Sequence, residues 1–181
     1  MRPILVGMNN PVSTRPGHEL YPLPEGCTGH RLWQMLHERT GATMRQYLDA
    51  FERRNLVRGL EWDRVAARAR AYEVLCELRG SGRTVVLLGR SVQEAFDYVV
   101  KNSNGLFDLT STPVIGKDGI PPLLVHPQEA GGCTWRQIPH PSGRNLWYNT
   151  PKNKEVVSML MEELYNEYRR QVQSSAQPAE V

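Results

Sequence analysis

The sequence predicts an α/β domain in three layers, with a mainly parallel central sheet covered by helices on both faces. Two short apolar runs that end in glycine, Pro3 to Val6 before Gly7 and Thr84 to Leu88 before Gly89, read as buried strands. Between and after them lie segments with apolar residues at helical spacing, and strands alternating with helices are the pattern of a parallel sheet. A chain of 181 residues that is 40% hydrophobic and 23% charged suits one domain with its own core.

The first strand delivers its end to a long loop, Met8 to Gly29, rich in proline and glycine; a loop of that length in a compact domain is usually functional. From about His30 the pattern is helical, with Leu32, Met35 and Leu36 on one face and Gly41 as the stop. A second helix is expected over Met44 to Arg53, followed by a candidate short strand at Asn55-Leu56-Val57. Glu61 to Arg79 reads as a helix with Val65, Ala69, Tyr72 and Cys76 on its apolar stripe, ended by Gly80-Ser81-Gly82. After Thr84 to Leu88, Ser91 is the expected cap of a helix running to about Val100. Asn102 to Asp118 is loop-like, and Ile120 to Val125 and Thr134 to Ile138 are two further expected strands. Pro151 opens a closing helix to Val172, since proline suits a first turn and Val157, Leu160, Met161, Leu164 and Tyr168 share a face. The domain is thus expected over 1–172, with a disordered tail over 173–181.

The net charge is +3, and 18 of the 22 basic residues are arginine. Residues 1–150 carry 18 basic and 14 acidic side chains against 4 and 5 in 151–181, so the excess lies in the body. Arginine forks suit phosphate, although genome base composition also produces such a bias, and charge alone leaves nucleic acid open. Cys27, Cys76 and Cys133 are widely separated, which argues against zinc, a cluster or a disulfide framework and for reduced thiols. No apolar run has the length of a membrane span and MRPILVGMNN lacks the core of a secretory signal. The expectation is an intracellular, cytoplasmic monomer with no membrane association, no metal and no cofactor.

The chemistry-bearing stretch is Ile138 to Asn149, IPHPSGRNLWYN. Pro139 and Pro141 hold His140 in an extended frame, Ser142 and Gly143 permit a sharp turn, and Arg144, Asn145, Leu146 and Trp147 follow. Alone it also reads as an ordinary proline turn with a stray histidine. Its position at the carboxyl end of a strand, opposite Gly7-Met8-Asn9-Asn10-Pro11 at the end of another, makes it one half of a candidate pocket.

These two motifs resemble the signatures of the uracil-DNA glycosylase superfamily, a G-x-(Asp/Asn)-P segment and an H-P-S segment most like that of the single-strand-selective branch. Asn55-Leu56-Val57-Arg58, VVLLGRSVQEAF and His30-Arg31-Leu32-Trp33 resemble segments of the mismatch-specific uracil and thymine glycosylases, in the same order, over about residues 4–165. The resemblance implies a uracil-DNA-glycosylase-like fold, a DNA partner and catalytic roles for Asn9 and His140. It puts Asn55 where relatives read the pairing edge of the base; Met8, Asn10, Tyr21 and Trp33 are further candidate base-binding residues, Tyr21 or Trp33 as the expected stacking face. Ser13, Ser142, Gly143, Arg144 and Asn145 would contact DNA, Arg144 standing where relatives carry a wedge.

The chain departs from the family at two points. Asn10 intervenes before Pro11, which leaves Asn9 and Asn10 both open as the catalytic amide, Asn9 having the family spacing from Gly7. Val12 and Ser13 stand where uracil-specific relatives place a tyrosine against the 5-methyl group, so a pocket tolerant of 5-substituted pyrimidines is expected. Asn55 also reads as a solvated turn residue, and Trp147 and Tyr148 as packing on the closing helix.

Cleavage of an N-glycosidic bond needs a hydrogen-bond donor at the departing base and a placed water at C1′; His140 fits the first task and an asparagine, too weak to take a proton, the second. The expected activity is hydrolysis of the bond to a flipped uracil or modified pyrimidine, leaving an abasic site. The alternatives are a non-hydrolytic modified-base binder or base-hypermodification enzyme on the same fold, and a nucleotide-binding domain unrelated to DNA, against which the lack of a glycine-rich phosphate loop argues. No lysine lies near either motif, the nearest being Lys152, so lyase chemistry is not expected.

Overall fold

The computed structural model describes residues 1–103 and 128–176. The strand expected over Ile120 to Val125, most of the loop expected over Asn102 to Asp118 and the end of the expected tail lie outside the described residues. The architecture is the expected one, a five-stranded, mostly parallel sheet in the order β2-β1-β3-β5-β4. Its strands are β1 (Ile4–Gly7), β2 (Glu52–Asn55), β3 (Thr84–Leu88), β4 (Gln128–Ala130) and β5 (Cys133–Ile138), and only the β4–β5 pair is antiparallel.

Among the described residues five helices cover it: α1 (Thr28–Thr40), α2 (Met44–Ala50), α3 (Arg64–Leu78), α4 (Arg90–Asn102) and α5 (Pro151–Ala176). Alternation along the strands sorts the core into two halves. Ile4, Val6, Val85, Leu87 and Trp135 pack with α3 and α4, while Leu5, Val86, Leu88 and Ile138 pack with α1, α2 and α5. No helix among the described residues is long and apolar enough to cross a membrane.

Several boundaries differ from the sequence expectation. The second helix stops at Ala50, because Phe51 turns extended and the Glu52 N–H bonds the Pro3 carbonyl at 3.0 Å, starting the β2 ladder. That strand is Glu52–Asn55 rather than 55–57. It is polar because it is an edge: Arg54 forks onto Glu77 at 2.8 and 2.7 Å, and Arg53 donates to the Glu19 carbonyl at 3.0 Å. Leu56 and Val57 are buried just beyond it, bonded to the carbonyls of Gly7 and Met8.

On α3 the buried stripe is Ala67, Ala71, Val74, Leu75 and Leu78, whereas Val65, Ala69, Tyr72 and Cys76 are exposed. Both sets satisfy helical spacing; the one with small residues faces the sheet. Gly89, not Ser91, precedes α4, and no side chain among the described residues caps that helix. The closing helix runs on to Ala176, past the expected end at Val172. The unexpected strand β4 is folded back on β5 by Gly131-Gly132, both at positive φ, the signature of a two-residue hairpin turn.

Candidate active site

Between β1 and β3 the strand order reverses, since β1 leads to β2 on one side and β3 to β5 on the other. Such a switch point, at the carboxyl ends of the strands, is where open α/β sheets bind ligands. There a pocket of about 640 Å³ opens, lined by both motifs and by the loop between β1 and α1.

Asn55 ends β2 opposite Gly7 of β1 in the ladder. It is 6% exposed, and its side-chain oxygen is buried with no hydrogen-bond partner among the described residues. A buried amide oxygen left unpaired costs about 1–3 kcal/mol, and Asn55 is one of the residues that line the pocket. The amide fits only because position 7 is glycine: a Cβ there would stand 2.5 Å from the Asn55 oxygen and 3.0 Å from Leu20 Cδ2. Beside Asn55, burial raises the Glu19 carboxyl pKa, opposed by the Asn55 N–H and by Arg58, Arg70 and Arg53.

His140 follows β5. Its carbonyl accepts from the Ser142 N–H at 2.8 Å and the Asn145 side chain at 2.9 Å, and Tyr148 donates to the Pro139 carbonyl at 2.7 Å. Its Cβ packs against Gly89, whose N–H bonds the Ile138 carbonyl at 2.8 Å. No described residue hydrogen-bonds the imidazole. Burial lowers its pKa below the ordinary 6.5, which leaves the ring neutral at pH 7, with one donor and one acceptor nitrogen.

The two asparagines of the first motif are used differently. Asn9 donates from its side-chain nitrogen to the Leu60 carbonyl at 2.7 Å, and its oxygen has no partner among the described residues. Asn10 donates to the His18 carbonyl at 3.0 Å and accepts from the Val12 N–H at 3.0 Å, closing an Asx turn within its own loop. Met8, Asn9, Asn10 and Tyr21 all line the pocket, as do Ser142, Gly143 and Arg144.

Three expected site residues do not line it. Trp33 donates its indole N–H to the Ala42 carbonyl at 3.0 Å and packs on the α1–α5 side of the core, because Leu32 and Leu36 orient α1 toward the sheet. Asn145 is spent holding the turn: it accepts from the Trp147 N–H at 3.1 Å in addition to bonding His140. Ser13 accepts from the Arg15 N–H at 3.2 Å, within the loop. Trp147 and Tyr148 pack against the core, whereas Leu146 is 73% exposed beside Arg144.

Residues that sequence reasoning missed come from the proline-rich loop. Leu20 lines the pocket at φ 47, a left-handed conformation rare for leucine, and its carbonyl accepts from the buried Tyr47 hydroxyl at 3.3 Å. Cys27 also lines it, but its sulfur caps α1 by accepting from the His30 N–H at 3.4 Å and donates to the Tyr21 carbonyl at 3.2 Å. The clustering of proline and glycine pointed to the loop, but no residue type in it pointed to Leu20.

The chain matches no protein-family model and no curated protein.

Among the described residues that line the pocket there is no carboxylate and no lysine. The polar groups are amides, the imidazoles of His18 and His140, hydroxyls, a capping thiol and one guanidinium, a set that can orient and polarise but, with no lysine, not form a Schiff base. Arg144, which lines the pocket, and Arg15 and Arg31 on the segments that build it are in no ion pair among the described residues, as are several arginines elsewhere such as Arg2, Arg64 and Arg79, whereas Arg39, Arg54, Arg83 and Arg136 are paired with glutamates. Cations left unpaired around a pocket favour an anionic partner.

Proposed function

We propose that the chain is a DNA glycosylase that hydrolyses the N-glycosidic bond of a flipped uracil or 5-substituted pyrimidine and leaves an abasic site. The observation that carries this reading is Asn55, its amide oxygen buried with no partner among the described residues, lining the same pocket as Asn9 and His140. An amide offers donor and acceptor together, the complement of a pyrimidine pairing edge. The resemblance of both motifs to the uracil-DNA glycosylase superfamily points the same way.

In this mechanism the C1′–N1 bond breaks with its electron pair going to the base, and the neutral His140 N–H donates to the base oxygen on which that charge collects. One such donor in a water-poor site is worth about 10²–10³ in rate. The Asn9 oxygen, held by the Leu60 tether, orients the water whose oxygen bonds C1′; the water's proton passes to solvent or to the departing base. Arg144, with Leu146 beside it, fills the gap left in the DNA, and the neighbouring arginines meet phosphates. A cavity of about 640 Å³ exceeds the needs of an unsubstituted pyrimidine, and Val12, 77% exposed, leaves room at the 5-position.

The lack of a carboxylate among the described lining residues favours a second reading, a protein that captures a flipped modified base without hydrolysis. Oligonucleotides carrying uracil, mismatched thymine or a 5-substituted cytosine, incubated in single- and double-stranded form and then treated with alkali, separate the two. Strand scission at the modified position supports the glycosylase. Retained binding with no scission on any substrate supports the second reading.

A further inference from the structure

Two polar residues of the pocket stand on the strands flanking the reversal, Asn55 at the end of β2 and His140 just past β5, and they come close to the ends of the two central strands at Gly7 and Gly89. Each central strand leads into a glycine at that point. We propose that Gly7 and Gly89 are positioning residues that set where Asn55 and His140 stand over the pocket floor, Gly7 governing recognition of the bound base and Gly89 governing the catalytic imidazole. The inference rests on the pocket being the base site and adds to it a division of labour between two residues that touch no substrate.

The two contacts differ in kind. At Gly7 the backbone φ is not left-handed, so alanine is free of backbone strain there. Its Cβ would meet the ends of two side chains, the Asn55 oxygen at 2.5 Å and Leu20 Cδ2 at 3.0 Å. Side-chain ends swing aside at little cost to the fold, and the displaced group is the amide that reads the base. At Gly89 the backbone has φ 93 and ψ 164, a region essentially confined to glycine. A Cβ there would lie 2.7 Å from His140 Cβ and 3.3 Å from its Cα, so the turn carrying the imidazole must itself retreat. The Gly89 N–H bond to the Ile138 carbonyl at 2.8 Å locks the two strand ends together and stops β3 from yielding instead.

The test is a pair of variants, Gly7→Ala and Gly89→Ala, measured for thermal midpoint, for KM and kcat on a uracil-containing oligonucleotide, and for titration of the His140 ring by NMR. Gly7→Ala is expected to keep its thermal midpoint and the His140 titration while KM rises about tenfold or more. Gly89→Ala is expected to lower kcat about tenfold or more with KM little changed, and to move the His140 titration up toward the free imidazole value as the ring gains solvent. A Gly7→Ala protein with KM within about twofold of the parent, or a folded Gly89→Ala protein with an unshifted His140 titration, overturns the proposal. If Gly89→Ala does not fold, the Gly7→Ala arm decides alone. Should the parent excise no base at all, the glycosylase reading fails separately, and the positioning claim is judged by His140 titration and by the affinity of Gly7→Ala for the same oligonucleotide.

Discussion

Asn9 is tethered to Leu60 by a hydrogen bond of 2.7 Å from its side-chain nitrogen to the Leu60 carbonyl, which fixes the amide and leaves its oxygen without a described partner. Asn10, one residue on, has both ends of its amide engaged within the loop. The two adjacent asparagines therefore separate by mutation. Asn9→Ala is expected to lower the excision rate by about 10²-fold or more, as loss of an orienting group does, with a nearly unchanged thermal midpoint. Asn10→Ala opens the Asx turn and is expected to lower the thermal midpoint with the smaller effect on rate. Reversal of that pattern in single-turnover assays and thermal melts would make Asn10 the catalytic amide.

His140 supplies a prediction in pH. Its folded pKa lies below 6.5 because burial penalises the charged ring, and the unfolded value is about 6.5. The unfolded chain binds more protons around and below its pKa, so this group destabilises the fold as pH falls through about 6.5 and its effect fades above neutral pH. Any acid limb of the excision rate due to His140 is correspondingly expected below the ordinary imidazole value of about 6.5. His140→Ala should lower the rate by about 10²–10³-fold. Because the ring makes no hydrogen bond to a described residue, its thermal midpoint should stay close to the parent's. A limb centred on the ordinary imidazole value in the parent profile would contradict the buried, neutral ring.

The layers of the fold and both pocket motifs were legible in the sequence because their signals are local: apolar runs ending in glycine at Gly7 and Gly89, and prolines that frame His140. What escaped depended on partners distant in sequence. The β2 boundary is set by pairing of Glu52 with Ile4, which the apolar Leu56 and Val57 disguise. Trp33 has the right chemistry for stacking on a base, but Leu32, Met35 and Leu36 dictate which way α1 turns, and the indole ends on the core side. The left-handed backbone of Leu20 carries no sequence signal at all; its carbonyl is held by the hydroxyl of Tyr47, a partner 27 residues away. Gly89 reads as a turn in the sequence; its closeness to His140 exists only once β3 and β5 are paired.

Leu20 and Tyr47 make that left-handed conformation testable. The Tyr47 hydroxyl is fully buried, which raises its pKa, and it donates to the Leu20 carbonyl at 3.3 Å. Tyr47→Phe keeps the ring and removes the bond, leaving a buried carbonyl without that donor and a strained residue without its restraint. Loss of such a bond costs about 1–3 kcal/mol. For a chain of this size each kcal/mol lowers the thermal midpoint by about 2–4 °C. Because Leu20 also touches the Gly7–Asn55 corner, the same variant is expected to bind its base less tightly. A midpoint and affinity equal to the parent's would show that Leu20 holds its conformation without Tyr47.

Arg144 tests the anionic partner. It is exposed, lines the pocket mouth and has no ion pair among the described residues, while Gly143 before it leaves space for the Arg31 guanidinium, whose Nη2 would be 3.0 Å from a Cβ at that position. If Arg144 meets a phosphate, Arg144→Ala should weaken DNA binding alike for every sequence and make the slope of log K against log salt shallower by about 0.7–0.9, the value for one phosphate contact. If it enters the gap left by the flipped nucleotide, the salt slope stays near the parent's and the loss falls instead on double-stranded substrates, where a gap must be held open, with single-stranded ones spared. The wedge reading predicts the second pattern, and Leu146→Ala, removing the exposed apolar side chain two residues on, should then add to the double-strand defect and leave the salt slope untouched. Binding isotherms at several salt concentrations on matched single- and double-stranded oligonucleotides distinguish these outcomes, and an Arg144→Ala protein unchanged in both would remove Arg144 from the DNA interface.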